Sequence, residues 1–222
     1  MNTNLSSHLS ATRLVPVVVI EDAGKAVDLA GALLEAGLGV IEITFRTPAA
    51  AEAIRRIARE CPAMLAGAGT LLDDGQVRRA IDAGARFGLA PGLDPKTVAT
   101  AQAADFDFIP GVMTPGEVQQ ALALGCATQK FFPAEQAGGA AFLKALEGPY
   151  GHTGVRFIPT GGLNAGNIAP YLALKSVAAL GGSWFVDKKL IESADWPAIT
   201  RLTQEALTLT RPATEAKNVG QT

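Results

Sequence analysis

The sequence predicts an α/β fold, a single (β/α)8 TIM barrel, because short apolar stretches alternate with stretches of helical length. This alternation is typical of parallel strands joined by helices, and about eight such units close a barrel. An open doubly wound sheet is the alternative, but the turn after the first predicted strand lacks its G-x-G-x-x-G pattern. The predicted strands are residues 14–20, 39–44, 63–69, 86–90, 106–109, 126–132, 155–159 and 176–180.

Capping residues mark the predicted helix boundaries. A side-chain oxygen that accepts from the first turn, followed by a proline, is typical of a helix start. This pattern occurs at Thr47-Pro48, Asp94-Pro95 and Thr114-Pro115, where Glu117 completes a capping box with Thr114. Predicted caps without proline are Asp73 and Asn164, and predicted helix ends with a left-handed glycine are Gly37, Gly84 and Gly125.

Composition indicates one domain over residues 1–222, with polar tails at about 1–12 and 211–222. The net charge of −2 offers no electrostatic reason to bind nucleic acid. No apolar run reaches the length of a membrane span, and the polar opening lacks the apolar region of a signal peptide. The two cysteines, Cys61 and Cys126, form no disulfide framework. We therefore expect a cytoplasmic protein without nucleic-acid or membrane partners.

Lys130 is the candidate nucleophile. It lies in the predicted strand 126–132, before Pro133. An ammonium is costly to bury unless it is paired or neutralised, and the neutral amine attacks carbonyl carbons. The alternative is a lysine whose ammonium reaches the surface. By alternation, Phe132 shares the face of Lys130 and Phe131 points to the core.

Polar residues also end other predicted strands, where a barrel builds its active site. Period two places Glu42, Thr44 and Arg46 on the face that points into the barrel. Glu42 is a candidate acid/base and Arg46 a clamp for a substrate carboxylate; a structural Glu42–Arg46 pair is the alternative. Thr70 follows Gly67 and Gly69 and offers a hydroxyl. For Pro91 we expect no role beyond lining the pocket.

Paired glycines follow the last two predicted strands, in Thr160-Gly161-Gly162 and Gly181-Gly182-Ser183. Backbone N–H groups at these positions of a barrel often bind phosphate, and the two hydroxyls add donors. The chain has only two histidines, and no His, Asp or Glu cluster has the spacing of metal ligands. The sequence contains no G-x-S-x-G motif and no Cys–His pairing, so it does not indicate acyl transfer. We therefore expect no metal and no other cofactor.

Taken together, these motifs resemble those of the bacterial 2-keto-3-deoxy-6-phosphogluconate (KDPG) aldolases, which often also act as 4-hydroxy-2-oxoglutarate (KHG) aldolases. The likeness covers residues 14–207. The motifs that carry it are Glu42-x-Thr44-x-Arg46-Thr47, Gly67-Ala68-Gly69-Thr70, Pro91-Gly92-Leu93, Lys130-Phe131-Phe132-Pro133-Ala134-Glu135, Pro159-Thr160-Gly161-Gly162 and Gly181-Gly182-Ser183-Trp184.

The resemblance implies a Schiff-base (class I) aldolase on a (β/α)8 barrel, usually a homotrimer, that needs no metal and takes a small phosphorylated 2-keto acid. Lys130 would form the imine and Glu42 would be the acid/base. Arg46 and Thr70 would bind the substrate carboxylate. The implied phosphate loops are Gly161, Gly162, Gly182 and Ser183.

Two other functions stay open at this level. A phosphosugar isomerase or epimerase on the same barrel would share the phosphate loops but use Lys130 as an electrostatic partner. A barrel that binds a phosphorylated metabolite as a regulator or scaffold would bind without turnover, and it would leave Glu42, Arg46 and Lys130 without a joint purpose.

Overall fold

The computed structural model describes residues 3–210, in which strands and helices alternate along the chain. The elements are α1 (Thr3–Thr12), β1 (Leu14–Val18), α2 (Ala26–Glu35), β2 (Val40–Thr44), α3 (Ala50–Glu60), β3 (Leu65–Gly69), α4 (Asp74–Asp82), β4 (Phe87–Leu89), α5 (Pro95–Ala103), β5 (Asp107–Ile109), β6 (Gly111–Val112), α6 (Pro115–Ala123), β7 (Thr128–Phe131), α7 (Gly139–Tyr150), β8 (Arg156–Pro159), α8 (Ala169–Leu172), β9 (Leu180–Gly182), α9 (Lys188–Glu192) and α10 (Trp196–Thr210). Among these residues, none of the helices combines the length and apolar character needed to cross a membrane.

The strands form two sheets, and every pairing within them is parallel. The larger sheet has the order β5-β4-β3-β2-β1-β9, and the smaller has the order β6-β7-β8. The predicted α/β fold with parallel strands is therefore confirmed. The closed eight-stranded barrel stays a prediction at this point.

The two sheets come together at two places. Only Pro110 separates β5 from β6. At the other side, isolated parallel bridges join Phe157 to Val177 and Thr160 to Gly181. The Phe157 main chain also donates to Ser176 O at 2.7 Å. Residues of β8 thus contact the segment that contains β9, although β9 belongs to the larger sheet.

The last strand lies further along the chain than predicted. The predicted stretch 176–180 shares only Leu180 with β9, which continues through Gly181 and Gly182. Glycine weakens a strand interior and is common in turns, so these two residues indicated a loop. In the structure they lie in the strand itself and pair with Val15 and Pro16 of β1.

Most of the predicted helix boundaries are confirmed. Asp73, Asp94 and Thr114 cap α4, α5 and α6, and Glu117 completes the predicted capping box. The three predicted C-terminal glycines all have positive φ, between 79° and 90°. These local signals depend on hydrogen bonds within one turn, which is why the sequence predicts them well.

Two predicted caps are wrong. The Thr47 hydroxyl donates to Ile20 O at 2.5 Å, and α3 begins only at Ala50. Asn164 accepts a backbone N–H within a turn that precedes α8. In both cases a competing hydrogen bond of the same side chain replaces the helix cap.

The prediction of a polar tail over residues 1–12 is also wrong for the part that the structure describes. Residues 3–12 form α1, and Leu5 and Leu9 are both only 2% exposed. Fully burying a leucine contributes about 1.5–3 kcal/mol, enough to hold a short helix against the core. The predicted C-terminal tail, 211–222, and residues 1–2 lie outside the described residues.

Candidate active site

A buried ion pair connects the two sheets. Lys130 Nζ, on β7, lies 3.0 Å from Glu42 Oε1, on β2. The side chains are 5% and 1% exposed, respectively. The alternative of a lysine that reaches the surface is therefore wrong, and so is a structural pair between Glu42 and Arg46. The amine and the carboxylate are close enough to exchange a proton directly.

One oxygen of the Glu42 carboxylate is left for other partners. Glu42 Oε2 is buried and has no hydrogen-bond partner among residues 3–210. A buried acceptor without a partner costs about 1–3 kcal/mol, so this oxygen is a favourable place for a donor from a substrate. One oxygen of Glu42 therefore faces Lys130, and the other is able to accept a hydrogen bond.

Glycines of β3 provide the space for the site. A Cβ added to Gly69 would lie 1.9 Å from Glu42 Oε1, and one added to Gly67 would lie 2.3 Å from the ring of Phe87. The strand register pairs Glu42 with Gly67 and Thr44 with Gly69, so the carboxylate of Glu42 lies over the glycine two residues beyond its own partner on β3. The Thr44 hydroxyl donates to Val18 O at 2.8 Å and stays within the sheet.

Arg46 and Thr70 lie just beyond the ends of two paired strands. Because β2 ends at Thr44, Arg46 is in the following turn and is exposed, whereas strict alternation placed it in the interior. Its guanidinium has no hydrogen-bond or ion-pair partner in the described chain. Thr70 follows β3 with φ 58°, a conformation that a β-branched residue rarely adopts. Such strain costs about 1–3 kcal/mol and is common at functional sites.

Phe132 lies near Lys130, and Pro91 lies next to Gly111, the residue that pairs with Lys130. Gly111 pairs with Lys130, and a Cβ on Gly111 would lie 2.2 Å from the Pro91 carbonyl. Lys130 Nζ is 5.8 Å from the centre of the Phe132 ring, within the range of a cation–π contact. Phe131 is fully buried and stacks on Phe142, which confirms that it points to the core.

The paired glycines meet at one edge of the strands. The bridge between Thr160 and Gly181 joins the end of β8 to β9. Gly161 and Gly162 have φ of 105° and 76°, which side chains rarely tolerate. The Thr160 hydroxyl is buried and donates to Ile158 O at 3.3 Å, so the main chain already uses it.

Ser183 lies at the same edge and is exposed directly after β9. The preceding Gly182 lies under an indole, because a Cβ on Gly182 would be 1.8 Å from the Trp184 ring. The structure therefore brings together both glycine pairs and the Ser183 hydroxyl.

A contact beside these glycines was missed by the sequence reasoning. The Tyr171 hydroxyl, on α8, donates to Glu135 Oε1 at 2.5 Å. Burial, and then the hydrogen bond and charge of Glu135, raise the pKa of Tyr171 well above its usual value. The two residues lie 36 positions apart, and no local pattern links them. Within the described residues, no group of three or more His, Cys, Asp or Glu side chains could hold a metal ion.

Comparisons with known proteins identify relatives over most of the chain. Residues 5–202 match the family model of KDPG and KHG aldolase. A relative from Haemophilus influenzae, 2-dehydro-3-deoxy-phosphogluconate aldolase, is 45% identical over 199 residues, which cover 90% of this chain and 93% of the relative.

Two solved structures have the same fold. KDPG aldolase from Legionella pneumophila, with pyruvate captured at low pH as a covalent carbinolamine intermediate, is 38% identical with a TM-score of 0.87; the match covers 90% of this chain and 97% of that one. The aldolase of Zymomonas mobilis with 3-phosphoglycerate is also 38% identical with a TM-score of 0.87, and the match covers 95% and 98% of the two chains.

Replacing Gly69 with alanine tests the space around Glu42. Because the new Cβ would overlap the carboxylate, we expect Gly69→Ala to lower the free energy of unfolding by about 1–3 kcal/mol, as overpacking does. Gly31→Ala is the matched control: Gly31 is exposed within α2, no atom lies within 4 Å of its added Cβ, and alanine there should stabilise. Urea unfolding of both variants is the measurement. Equal stability of Gly69→Ala and the unmodified protein would contradict the close contact.

Proposed function

The chain belongs to the KDPG and KHG aldolase family, and on this premise we propose that it is a class I aldolase acting through a Schiff base on Lys130. Its substrate is 2-dehydro-3-deoxy-6-phospho-D-gluconate, which it cleaves to pyruvate and D-glyceraldehyde 3-phosphate. It also cleaves 4-hydroxy-2-oxoglutarate to pyruvate and glyoxylate. The observation that carries this proposal is the buried contact of 3.0 Å between Lys130 Nζ and Glu42 Oε1.

Lys130 is the nucleophile. A proton moves from Nζ to Glu42, which leaves a neutral amine beside a neutral carboxyl group. The amine attacks the C2 carbonyl of the keto acid, and Glu42 returns the proton to the carbonyl oxygen to give a carbinolamine. The Glu42 carboxylate then takes a proton from the substituted nitrogen and delivers it to the departing hydroxyl, so that water leaves and the iminium ion forms. The carbinolamine of pyruvate in the Legionella pneumophila relative supports this order of steps.

The iminium ion is the electron sink for cleavage. As Glu42 takes the proton of the C4 hydroxyl, the C3–C4 electron pair moves toward the nitrogen and forms an enamine, and glyceraldehyde 3-phosphate leaves. Glu42 then protonates C3 of the enamine, and water hydrolyses the pyruvate imine to regenerate Lys130. The unpartnered Oε2 of Glu42 favours this role because it can accept a hydroxyl donor while Oε1 faces Lys130.

Arg46 and Thr70 bind the C1 carboxylate and so orient the carbonyl toward Lys130. Their position after the paired residues Thr44 and Gly69 supports this role, as does the unpaired guanidinium of Arg46. Pro91 and Phe132 line the pocket next to Lys130. The exposure of Arg46 matches a clamp that meets its ligand at the mouth of the site.

The substrate phosphate binds where β8 and β9 end. The donors are backbone N–H groups at the two glycine pairs and the hydroxyl of Ser183. Thr160 shapes the loop, since its hydroxyl bonds to Ile158 O. The 3-phosphoglycerate in the Zymomonas mobilis relative supports a phosphate site in this family.

We further propose that the two sheets form one closed (β/α)8 barrel in a single domain. In this view β5 and β6 are one strand interrupted at Pro110, which has no N–H to donate. The bridges from Phe157 and Thr160 to the β9 segment support closure at the other side. The homotrimer and the cytoplasmic location remain predictions from the resemblance and from the cysteine content.

Trapping with borohydride tests the proposal directly. With pyruvate and borohydride, intact mass and peptide mapping should show a pyruvyl adduct on Lys130. Lys130→Met should lose both the adduct and the turnover, whereas Lys144→Met, at an exposed lysine of α7, should keep both. Circular dichroism checks that each variant is folded. A folded protein that forms no adduct would favour the phosphosugar isomerase or epimerase instead, and an adduct retained in Lys130→Met would move the nucleophile elsewhere.

Glu42→Gln tests the acid/base role while the nucleophile, Lys130, stays in place. The amide keeps an oxygen for the contact with Lys130 but cannot carry the proton. We expect the trapped adduct to persist and kcat to fall by about 10²–10⁴, as for loss of a positioned acid/base. Glu35→Gln, at an exposed glutamate of α2, should leave kcat unchanged. An unchanged kcat in Glu42→Gln would assign the acid/base role to another group.

Ser183→Ala tests the phosphate site. Removing this exposed hydroxyl should raise KM for the phosphorylated substrate and leave KM for 4-hydroxy-2-oxoglutarate unchanged, because only the first has a phosphate. Ser193→Ala, at an exposed serine after α9, is the matched control. Steady-state kinetics with both substrates provide the measurement. An equal effect on the two substrates argues against a phosphate role for Ser183.

A further inference from the structure

The hydrogen bond between Tyr171 and Glu135 lies directly behind the Gly161–Gly162 loop. Tyr171 is 1% exposed, and its hydroxyl donates to Glu135 Oε1 at 2.5 Å. Because burial and the neighbouring carboxylate raise the pKa of Tyr171, the phenol keeps its proton and remains a donor.

Glu135 holds the loop through both its main chain and its side chain. Its N–H donates to Gly161 O at 3.2 Å, and the N–H of Ala134 donates to Thr160 O at 2.8 Å. A Cβ added to Gly162 would lie 2.8 Å from Glu135 Cβ and 2.9 Å from its Cγ. The stem of Glu135 is thus packed against Gly162, one of the glycines of the proposed phosphate site.

The charge of Glu135 is the reason that its position matters. A carboxylate next to a phosphate site repels the phosphate unless the carboxylate is held away from the site. Here Oε1 lies beside Tyr171 and beside Gly139: a Cβ added to Gly139 would be 3.7 Å from this oxygen. Gly139 is the first residue of α7, and the amino end of a helix favours negative charge.

We propose that Tyr171 and Glu135 are positioning residues that set the preference for the phosphorylated substrate. Tyr171 holds the Glu135 carboxylate on the side of α7 and α8, and the stem of Glu135 keeps the Gly161–Gly162 loop in the shape that receives a phosphate. Neither residue takes part in the chemistry at Lys130. This inference rests on the proposed aldolase function and adds a determinant of its substrate choice.

Tyr171→Phe removes the hydroxyl and keeps the ring. We expect KM for the phosphorylated substrate to rise about tenfold, which corresponds to 1.4 kcal/mol, with kcat unchanged. KM for 4-hydroxy-2-oxoglutarate should not change. Inorganic phosphate, used as an inhibitor of 4-hydroxy-2-oxoglutarate cleavage, should bind more weakly by a similar factor. Tyr150→Phe is the matched control because Tyr150 is the only other tyrosine of the chain and donates to Pro115 O at 2.8 Å, an unrelated contact.

Two changes at Glu135 complete the test. Adding Glu135→Gln to Tyr171→Phe removes the released charge and should recover most of the lost affinity for the phosphorylated substrate. Glu135→Ala removes the stem against Gly162 and should by itself raise KM for that substrate alone, so it tests the inference even if Tyr171→Phe does not fold. A purely structural role would affect both substrates together.

The outcomes separate this inference from the proposed function. No pyruvate adduct in the unmodified protein overturns the aldolase proposal itself. If the adduct forms but the KM changes are equal for both substrates, only the positioning role is overturned. The same holds if the adduct forms and KM changes in neither Tyr171→Phe nor Glu135→Ala. A change in Tyr150→Phe as large as that in Tyr171→Phe would overturn it as well.

Discussion

The buried pair of Lys130 and Glu42 is the interaction on which the rest of the site depends. Two charged groups lose their hydration in the interior, and such a pair adds little stability compared with apolar residues of the same volume. The structure nevertheless provides for it: each partner comes from a different sheet, and glycine on the neighbouring strand leaves room for the carboxylate. The arrangement contributes little to stability but fixes an amine 3.0 Å from a proton acceptor, which supports the proposed role of the pair in catalysis.

Local patterns predicted much of the fold and the direction of the main side chains. Alternation in β2 placed Glu42 in the interior, and alternation around Lys130 separated Phe131 from Phe132. Alternation failed for Arg46 because the strand ends two residues earlier, and a residue in a turn no longer follows period two. The sequence also could not predict which carboxylate faces Lys130, since the partners lie 88 positions apart and meet only when the sheets come together. The same holds for Tyr171 and Glu135.

Glycine has two separate uses at this end of the molecule. In β3 and β9 it makes room: an added Cβ would meet Glu42 at Gly69, and would meet the Trp184 ring at Gly182. In the loop after β8 it supplies positive φ at Gly161 and Gly162. Sequence reasoning associated the glycines after the last two predicted strands with ligand contact through the backbone. The structure adds that strand glycines make room for neighbouring side chains, among them the carboxylate of Glu42 at Gly69, so substitution of Gly69 would act on the site indirectly.

The pairing of β1 with β9 has a consequence for how the protein forms during synthesis. The first strand of the described chain takes a neighbour from near its other end, so the larger sheet cannot be completed until most of the polypeptide has left the ribosome. Contacts between distant parts of a sequence slow folding. The chain loses conformational entropy when these parts come together, before the contacts between them can stabilise the fold. The contact between Lys130 and Glu42 is also non-local, because Glu42 is synthesised 88 residues before Lys130. A nascent chain that ends before Lys130 therefore lacks this pair, which requires residues of both sheets.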